Sequence, residues 1–152
     1  MTVSYPQKLS LSLAPFCTNP EGGGAEWRLD STRQIIRASA DNAYIYVPVL
    51  LAPGSIIMSA KIRWGGGGTG DGIYANVQRR EGEGTNKYFD DLTSVETFTR
   101  GGADPEQQTS SMGGFPITIE DGWSYVFHFT SQVVSQWADI YDLVIQTRLR
   151  TL

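Results

Sequence analysis

The side chains that most often carry enzyme chemistry are few and isolated in this sequence. It contains one histidine, His128, and one cysteine, Cys17. A Ser-His-Asp triad needs the histidine beside a nucleophile and an orienting carboxylate, and a zinc site needs several histidine or cysteine ligands. A single cysteine also excludes an internal disulfide. His128 falls on the more polar face of an alternating segment, which favours a surface or inter-subunit imidazole over a catalytic one.

Paired carboxylates are the remaining route to catalysis, because glycoside hydrolysis needs two acids roughly 5–10 Å apart. The candidate pairs are Asp90/Asp91, Glu81/Glu83 and Glu120/Asp121. They lie in glycine-containing, loop-like sequence, where acids are ordinarily solvated turn residues. We therefore predict no catalytic residues and no enzyme activity. Glycan cleavage by two loop acids stays open as an alternative.

The glycines and loop acids do not indicate a cofactor. Gly65, Gly67 and Gly70 fit G-x-G-x-x-G after a strand, but a dinucleotide site also needs a helix that begins there. The next residues alternate as a strand, so we interpret residues 65–72 as the tip of a β-hairpin. Acids that could bind Ca²⁺ in loops are Asp71, Asp90, Asp91 and Asp104. They follow no EF-hand spacing, so calcium is left open and neither a metal nor a cofactor is predicted.

The aromatic side chains are the best indication of a binding surface, because flat rings can stack on sugars or fill a protein interface. The candidate interface or binding residues are Trp27, Tyr44, Tyr46, Tyr74, Tyr88 and Trp137, together with Arg79 and Arg80 of a small basic group. Most of these rings lie on apolar faces of alternating segments, so core packing explains them equally well. Segments 44–51 and 123–129 are apolar on both faces, which points to burial on both sides and hence to an oligomer.

The elements that must position these residues are β-strands. Apolar and polar residues alternate in four segments, which begin near Ile56, Ile73, Trp123 and Tyr141, and a period of two is typical of strands. Weaker strands are predicted at residues 9–16, 26–30, 34–38, 44–50, 98–100 and 115–119. At most a helical turn is predicted near residues 131–138. Many short strands separated by turns predict an all-β, antiparallel β-sandwich.

The length and the net charge limit the number of domains and the kinds of partner that the chain can have. The 152 residues fit a single domain over residues 1–152, with residues 1–40 forming an N-terminal arm and strands. Residues 81–121 hold nine acids against Lys87 and Arg100, and we predict a long loop excursion there. The net charge of −4 argues against a nucleic acid as partner. No run reaches the ~18 apolar residues of a membrane span, so no membrane partner is expected.

Residues 46–64 end one strand before Pro53-Gly54 and begin a new alternating strand at Ile56. A glycine-rich loop follows Trp64, and two closing strands are predicted at 123–130 and 140–149. This pattern resembles the jelly-roll domains of tailed-phage virion proteins, including head decoration proteins, head fibres and tail fibres. The resemblance implies a jelly roll, commonly trimeric, with no catalytic or cofactor residues. Residues 81–121 depart from the pattern.

These observations favour a non-enzymatic structural protein of a phage virion, and most directly a capsid decoration or cement protein that assembles as a homotrimer on the head shell. Its partners would be copies of itself and the major capsid protein or another virion protein. It would be made in the host cytoplasm and located on the capsid surface. The alternative is a carbohydrate- or receptor-binding domain of a phage fibre or tail, with a glycan as ligand.

Overall fold

A computed structural model describes residues 6–11, 27–30, 35–85 and 88–150. In these ranges the chain forms twelve β-strands and no helix. The strands are β1 (Pro6–Leu11), β2 (Trp27–Asp30), β3 (Ile35–Ala38), β4 (Tyr44–Pro48), β5 (Ile56–Gly66), β6 (Gly72–Glu81), β7 (Asp90–Asp91), β8 (Glu96–Thr99), β9 (Gln107–Met112), β10 (Ile117–Thr118), β11 (Trp123–Gln132) and β12 (Ala138–Arg148). The helical turn predicted near residues 131–138 is absent, because β11 continues to Gln132 and bends follow up to β12.

The strands form two antiparallel sheets. In the first sheet β5 and β12 pair with each other at the centre. On its other edge β5 pairs with β9 and β10. On its other edge β12 pairs with β1 and β3, and β2 pairs with β3. In the second sheet β11 lies between β4 and β6, and β7 and β8 pair with the far edge of β6. The prediction of an all-β, antiparallel β-sandwich is confirmed.

The core lies between the two sheets and follows the predicted alternation. Every second residue of β6 and β11 is buried, from Ile73 to Val77 and from Tyr125 to Phe129. From the first sheet Trp64 and Leu143 are fully buried in the same cluster. Full burial of one such side chain stabilises the fold by about 1.5–3 kcal/mol, so this interface holds the two sheets together.

Because of two β-bulges, the buried residues of the central strands β5 and β12 differ in part from those that the alternation predicts. The sequence pattern places Ile56 and Met58 on the apolar face of β5, but Ile57 is the buried residue there. The pairing of β5 with β12 omits Met58, and a bulge of one residue reverses the alternation on either side of it. The second bulge omits Tyr141 of β12. It leaves Tyr141 half-buried beside the fully buried Leu143.

The interpretation of residues 65–72 as a hairpin tip is wrong. β5 belongs to the first sheet and β6 to the second, so residues 67–71 carry the chain across the edge of the sandwich. The connections from β4 to β5 and from β11 to β12 cross in the same way. When consecutive strands alternate between sheets, neighbours in sequence are not neighbours in pairing. A glycine-rich turn signal does not distinguish these two kinds of connection.

The excursion over residues 81–121 contains short strands. β7 and β8 extend the second sheet beside β6, while β9 and β10 extend the first sheet beside β5. The predicted strands at 98–100 and 115–119 overlap β8 and β10. β9 was missed because Gln107–Met112 is polar except at its last residue and so carries no apolar alternation.

The N-terminal strands close the other side of the first sheet. β1 pairs with Leu143 to Arg148 of β12, and β3 pairs with its first residues. The predicted strand at 9–16 coincides with β1 up to Leu11, and its remainder, like Cys17, lies outside the described residues. In the described part of the chain no helix is long and apolar enough to cross a membrane.

Candidate functional site

The second sheet has an outer face, turned away from the core, that carries aromatic and polar side chains in register. Its rows across β4, β11 and β6 are Tyr44, Thr130 and Tyr74; then Tyr46, His128 and Asn76; then Pro48, Val126 and Gln78. Alternate residues of a strand lie on the same side of a sheet, so all of these side chains belong to one face. We call it the outer face.

Aromatic rings stack at the centre of the outer face. The imidazole of His128 lies 4.8 Å from the ring of Tyr46 and 5.8 Å from the ring of Tyr44, measured between ring centroids. The interplanar angles are 20° and 14°, so the three rings are nearly parallel. Tyr46 remains 41% exposed on the outer face.

A chain of hydrogen bonds crosses the outer face beside these rings. Asn76 donates through Nδ2 to Oδ1 of Asp91 at 2.6 Å, which leaves its Oδ1 to accept from Nδ1 of His128 at 3.1 Å. His128 Nε2 then accepts from the hydroxyl of Thr130 at 3.3 Å. Gln78 donates through Nε2 to the same oxygen of Asp91 at 2.9 Å. The buried amide of Asn76 therefore links the imidazole to an exposed carboxylate.

The imidazole of this chain is uncharged at neutral pH. Burial lowers the pKa of His128 below its usual value, and the negative charge of Asp91 raises it only in part. A neutral imidazole has one donor and one acceptor nitrogen, which matches its bonds to Asn76 and Thr130. His128 therefore orients its neighbours and contributes no positive charge to the outer face.

A cleft of about 280 Å³ opens at one end of the outer face. It is lined by Tyr46, Gln78, Tyr88 and Phe89, and Tyr88 is 77% exposed. The guanidinium carbon of Arg80 lies 4.8 Å from the ring centroid of Phe89. Asp91 pairs with Gln78 in the sheet and accepts a hydrogen bond from its side chain. Aromatic walls with a few polar groups are typical of small-ligand sites.

The predicted binding residues divide into two groups. Tyr44, Tyr46 and Tyr74 share the outer face, and Tyr88 lines its cleft with Arg80 beside it. Trp27, by contrast, is fully buried in the core and donates through Nε1 to the carbonyl oxygen of Ala43 at 2.8 Å. It packs within this chain and offers no ring to a ligand.

Trp137 and Arg79 lie apart from the outer face. The guanidinium of Arg37 stacks 4.0 Å from the ring centroid of Trp137. Arg79 stacks 4.2 Å from that of Trp123 and contacts Glu120 at 3.4 Å. These side chains stabilise the ends of the sandwich, so the structure does not join them to the tyrosines.

Sequence reasoning missed the polar half of the outer face. Asn76, Gln78 and Phe89 carry no sequence signal for binding, Asp91 is considered there only as a catalytic or calcium-binding acid, and His128 only as a surface or inter-subunit imidazole. The even-numbered positions of β6 and β11 already indicate one common face in each strand. What the sequence lacks is the register that sets Asn76 beside His128.

The acids considered for calcium do not assemble into a metal site. Among residues 6–11, 27–30, 35–85 and 88–150, no group of three or more histidine, cysteine, aspartate or glutamate side chains comes together to hold a metal ion. Asp71 is buried, and its carboxylate accepts six hydrogen bonds from the glycine-rich loop and from residues 134–137. It joins the two loops that cross between the sheets.

Comparison with known proteins gives the fold. No protein-family model matches the sequence, and no curated protein does. The structure resembles TmCBM61, solved in complex with beta-1,4-galactotriose, with a TM-score of 0.53 and 11% identity over 92% of this chain and 91% of that chain. It also resembles the CBM22-1 xylan-binding domain of Xyn10C from Paenibacillus barcinonensis, with a TM-score of 0.53 and 15% identity over 95% and 94%.

A viral protein shares the same architecture. A chain of infectious bursal disease virus, Gx strain, matches with a TM-score of 0.51 and 8% identity over 95% of this chain and 32% of that chain. The fold is therefore a jelly-roll β-sandwich, as expected from the sequence. At these identities the likeness is one of fold.

Proposed function

We propose that this chain is a non-enzymatic glycan-binding domain whose ligand occupies the cleft on the outer face. The observation that carries the proposal is the pair of exposed tyrosines, Tyr46 and Tyr88, that line one cleft together with the amide of Gln78. Sugar rings offer an apolar C–H surface to an aromatic ring and hydroxyl groups to polar side chains. The cleft presents both kinds of partner.

The surroundings of the cleft support recognition of a sugar over cleavage of one. No described residue that lines the cleft is an acid, and Asp91 reaches it only through its bond to Gln78, whereas hydrolysis of a glycosidic bond ordinarily needs two acids that flank the bond. The next acid, Asp90, is opposite Arg79 in the strand register. Because side chains alternate along β7, that of Asp90 lies on the other side of the sheet from Asp91. The bonds of Asp91 to Asn76 and Gln78 make it part of a fixed polar surface.

The fold neighbours suggest which sugars to test first. One was solved with beta-1,4-galactotriose, and another is described as xylan-binding. Fold likeness at 11% and 15% identity does not transfer a ligand to this chain. Oligosaccharides of β-1,4-galactan and xylan are therefore the first members of a wider panel.

The test measures glycan binding by the wild-type chain and by Tyr46→Ala and Tyr88→Ala, using a glycan array followed by isothermal titration calorimetry. Because each tyrosine supplies a stacking wall, we expect each substitution to weaken binding roughly tenfold or more. Tyr141→Ala, in the first sheet, removes an aromatic ring elsewhere and should leave affinity within about twofold. Absence of binding to every glycan, or equal losses in all three variants, would contradict the proposal.

A second candidate function, a structural role in a phage virion, is favoured by one specific observation. Leu50 is 92% exposed in the connection between β4 and β5. Another copy of the chain, or a capsid protein, that bound at this connection would cover the leucine. On this hypothesis the chain is a homotrimeric decoration protein on the head shell, or the receptor-binding part of a fibre.

Native mass spectrometry and capsid co-sedimentation test the virion hypothesis. A trimer, or binding to capsids, that is lost in Leu50→Ser would support it. The control is Val95→Ser, which changes a 53% exposed apolar residue in the excursion. A monomer at high concentration that does not sediment with capsids would exclude the decoration role and would leave glycan binding as the function to pursue.

A further inference from the structure

We infer that the cleft on the outer face takes an uncharged sugar and that Asp91 is the residue that discriminates against acidic sugars such as uronates. This inference rests on the proposed glycan-binding function and names its ligand class. It follows from the way in which the carboxylate of Asp91 is held.

One oxygen of Asp91 is fully engaged, and the other is not. Oδ1 accepts from Nδ2 of Asn76 at 2.6 Å and from Nε2 of Gln78 at 2.9 Å. Oδ2 accepts no hydrogen bond from any residue that the structure describes. An ionised carboxylate can accept on both oxygens, so Oδ2 is an unused acceptor of an exposed side chain that contacts Gln78 of the cleft.

The position of this acceptor is set by buried groups. Asn76 is almost fully buried, and its amide is held at the other end by Nδ1 of His128. Gln78 both lines the cleft and donates to Asp91, so the carboxylate is held against one of the lining residues. A polar group held by such a network recognises a ligand with less loss of side-chain freedom than a mobile surface acid.

The chemistry of this acceptor selects the ligand. The hydroxyl group of a neutral sugar donates a hydrogen bond to a carboxylate oxygen, and such charge-assisted bonds are strong. The carboxylate of a uronate can only accept, and it carries the same charge as Asp91. Replacing a hydroxymethyl group by a carboxylate therefore exchanges an attraction at Oδ2 for a repulsion.

A described cation beside the cleft, Arg80, has the opposite preference. The guanidinium of Arg80 lies over Phe89, which is one of the lining residues. If Arg80 determined selectivity, acidic sugars would bind more tightly than neutral ones. Asp91 is bonded to Gln78, the polar lining residue, whereas Arg80 stacks on the aromatic Phe89, and we therefore assign the selectivity to Asp91.

The experiment compares matched pairs of glycans. Neutral β-1,4-linked galactose, glucose and mannose oligosaccharides are each paired with the same oligosaccharide oxidised at C6 to the uronate, and affinities are measured by calorimetry at pH 7 and low salt. We expect the oxidised member of the bound pair to bind roughly tenfold more weakly. Added salt should reduce this ratio, because it screens a charge–charge repulsion.

The variant that tests the residue is Asp91→Asn. Asparagine keeps the acceptor for Asn76 and Gln78 but presents an amide donor where Oδ2 was, so the ratio between neutral and oxidised ligand should fall to about one or invert. Asp90→Asn is the matched control, because it removes the same charge one residue away. The ratio should not change in it, and thermal melts of both variants report whether the fold is retained.

Three outcomes are possible. A neutral preference that Asp91→Asn removes and Asp90→Asn retains supports the inference. Equal or tighter binding of the oxidised glycans by the wild-type chain, or an unchanged ratio in Asp91→Asn, overturns the inference and leaves the glycan-binding function standing. If no glycan in the panel binds, the proposed function fails and the inference fails with it.

Discussion

His128 and Asn76 are 52 residues apart in the sequence, yet Nδ1 of the imidazole lies 3.1 Å from Oδ1 of the amide. The contact joins β11 to β6 in the middle of the outer face. On its other side Asn76 donates to Asp91. The one histidine of the chain is thereby coupled, through a buried amide, to the exposed carboxylate of Asp91.

This coupling predicts a measurable change in the titration of His128. Burial lowers the pKa of the imidazole, and the charge of Asp91 raises it in part, so removing that charge in Asp91→Asn should lower the pKa further. Because the sequence has one histidine, its imidazole signals in a two-dimensional NMR titration need no assignment. A wild-type pKa at or above the usual 6.5, or a rise in the variant, would contradict this account.

The same lowered pKa predicts how stability depends on pH. The folded-state pKa lies below that of the unfolded chain, so the unfolded chain binds the proton first as the pH falls. The free energy of unfolding should therefore decrease as the pH drops through about 6.5 towards the folded-state pKa. Urea denaturation at pH 7.5 and 5.5 measures this loss. In His128→Gln the part of the loss that comes from the imidazole should disappear.

Asp71→Asn should destabilise the crossing loops. The carboxylate accepts backbone N–H bonds from Gly68 and from residues 134–137, and an amide would turn an N–H group towards some of these donors. Leaving buried donors without an acceptor costs about 1–3 kcal/mol, so we expect a loss near the upper end of that range. Asp104→Asn is the control, because Asp104 accepts from Gly101 on an exposed loop. Chemical denaturation of both variants gives the comparison.

The contribution of Asp71 should also depend on pH. Burial raises its pKa, but hydrogen bonds from backbone amides, those of Ser135 and Val134 foremost, outweigh burial and lower the pKa below the usual 3.8. A carboxylate with a depressed folded-state pKa stabilises the fold above its unfolded-state pKa and loses that effect as the pH falls through the folded value. The difference between the wild-type chain and Asp71→Asn should therefore shrink below about pH 4.

Two ion pairs of the first sheet should differ in their effect on stability. Arg37 binds both oxygens of Asp139 at 2.7 Å, and the side chain of Asp139 is 0% exposed. Arg37→Met would leave a buried carboxylate without its cation, at a cost of about 3–5 kcal/mol. Arg63→Met breaks a pair with Asp142 in which the arginine is 46% exposed, and should cost about 1 kcal/mol or less. Equal losses in thermal and urea denaturation would contradict this ranking.

Gly72→Ala should disturb the edge of the second sheet. A Cβ atom on Gly72 would overlap the carbonyl oxygen of Phe98, because β8 approaches β6 closely at this residue. Backbone must move to relieve that overlap, and we expect a loss of about 1–3 kcal/mol. A Cβ atom on Gly102 would lie 3.6 Å from the hydroxyl of Thr69, so Gly102→Ala should be nearly neutral. Hydrogen exchange at Thr97 and Thr99 would show whether β8 is released.

Much of the site could be anticipated from the sequence, and a definite part of it could not. The exposed tyrosines Tyr46 and Tyr88 stood among the candidates because ring-bearing residues are recognisable one at a time. Trp27 was grouped with them although it is buried, because alternation does not say which of two apolar faces meets the core. Asn76 carries no local signal, and the sequence offers Asp91 only as one of several loop acids. The two belong to one site only because β6, β7 and β11 are adjacent.

By itself, the sequence determined that this chain is built from β-strands, which residues of β6 and β11 alternate, and that chemistry based on several histidines or cysteines is excluded. These are local properties, because a strand turns successive side chains to opposite sides whatever it pairs with. Only the tertiary structure decided that β5 and β6 lie in different sheets, that bulges omit Met58 and Tyr141, and that His128 meets Asn76. Those outcomes depend on the burial and hydrogen bonding of segments far apart in the chain, which no short stretch of sequence records.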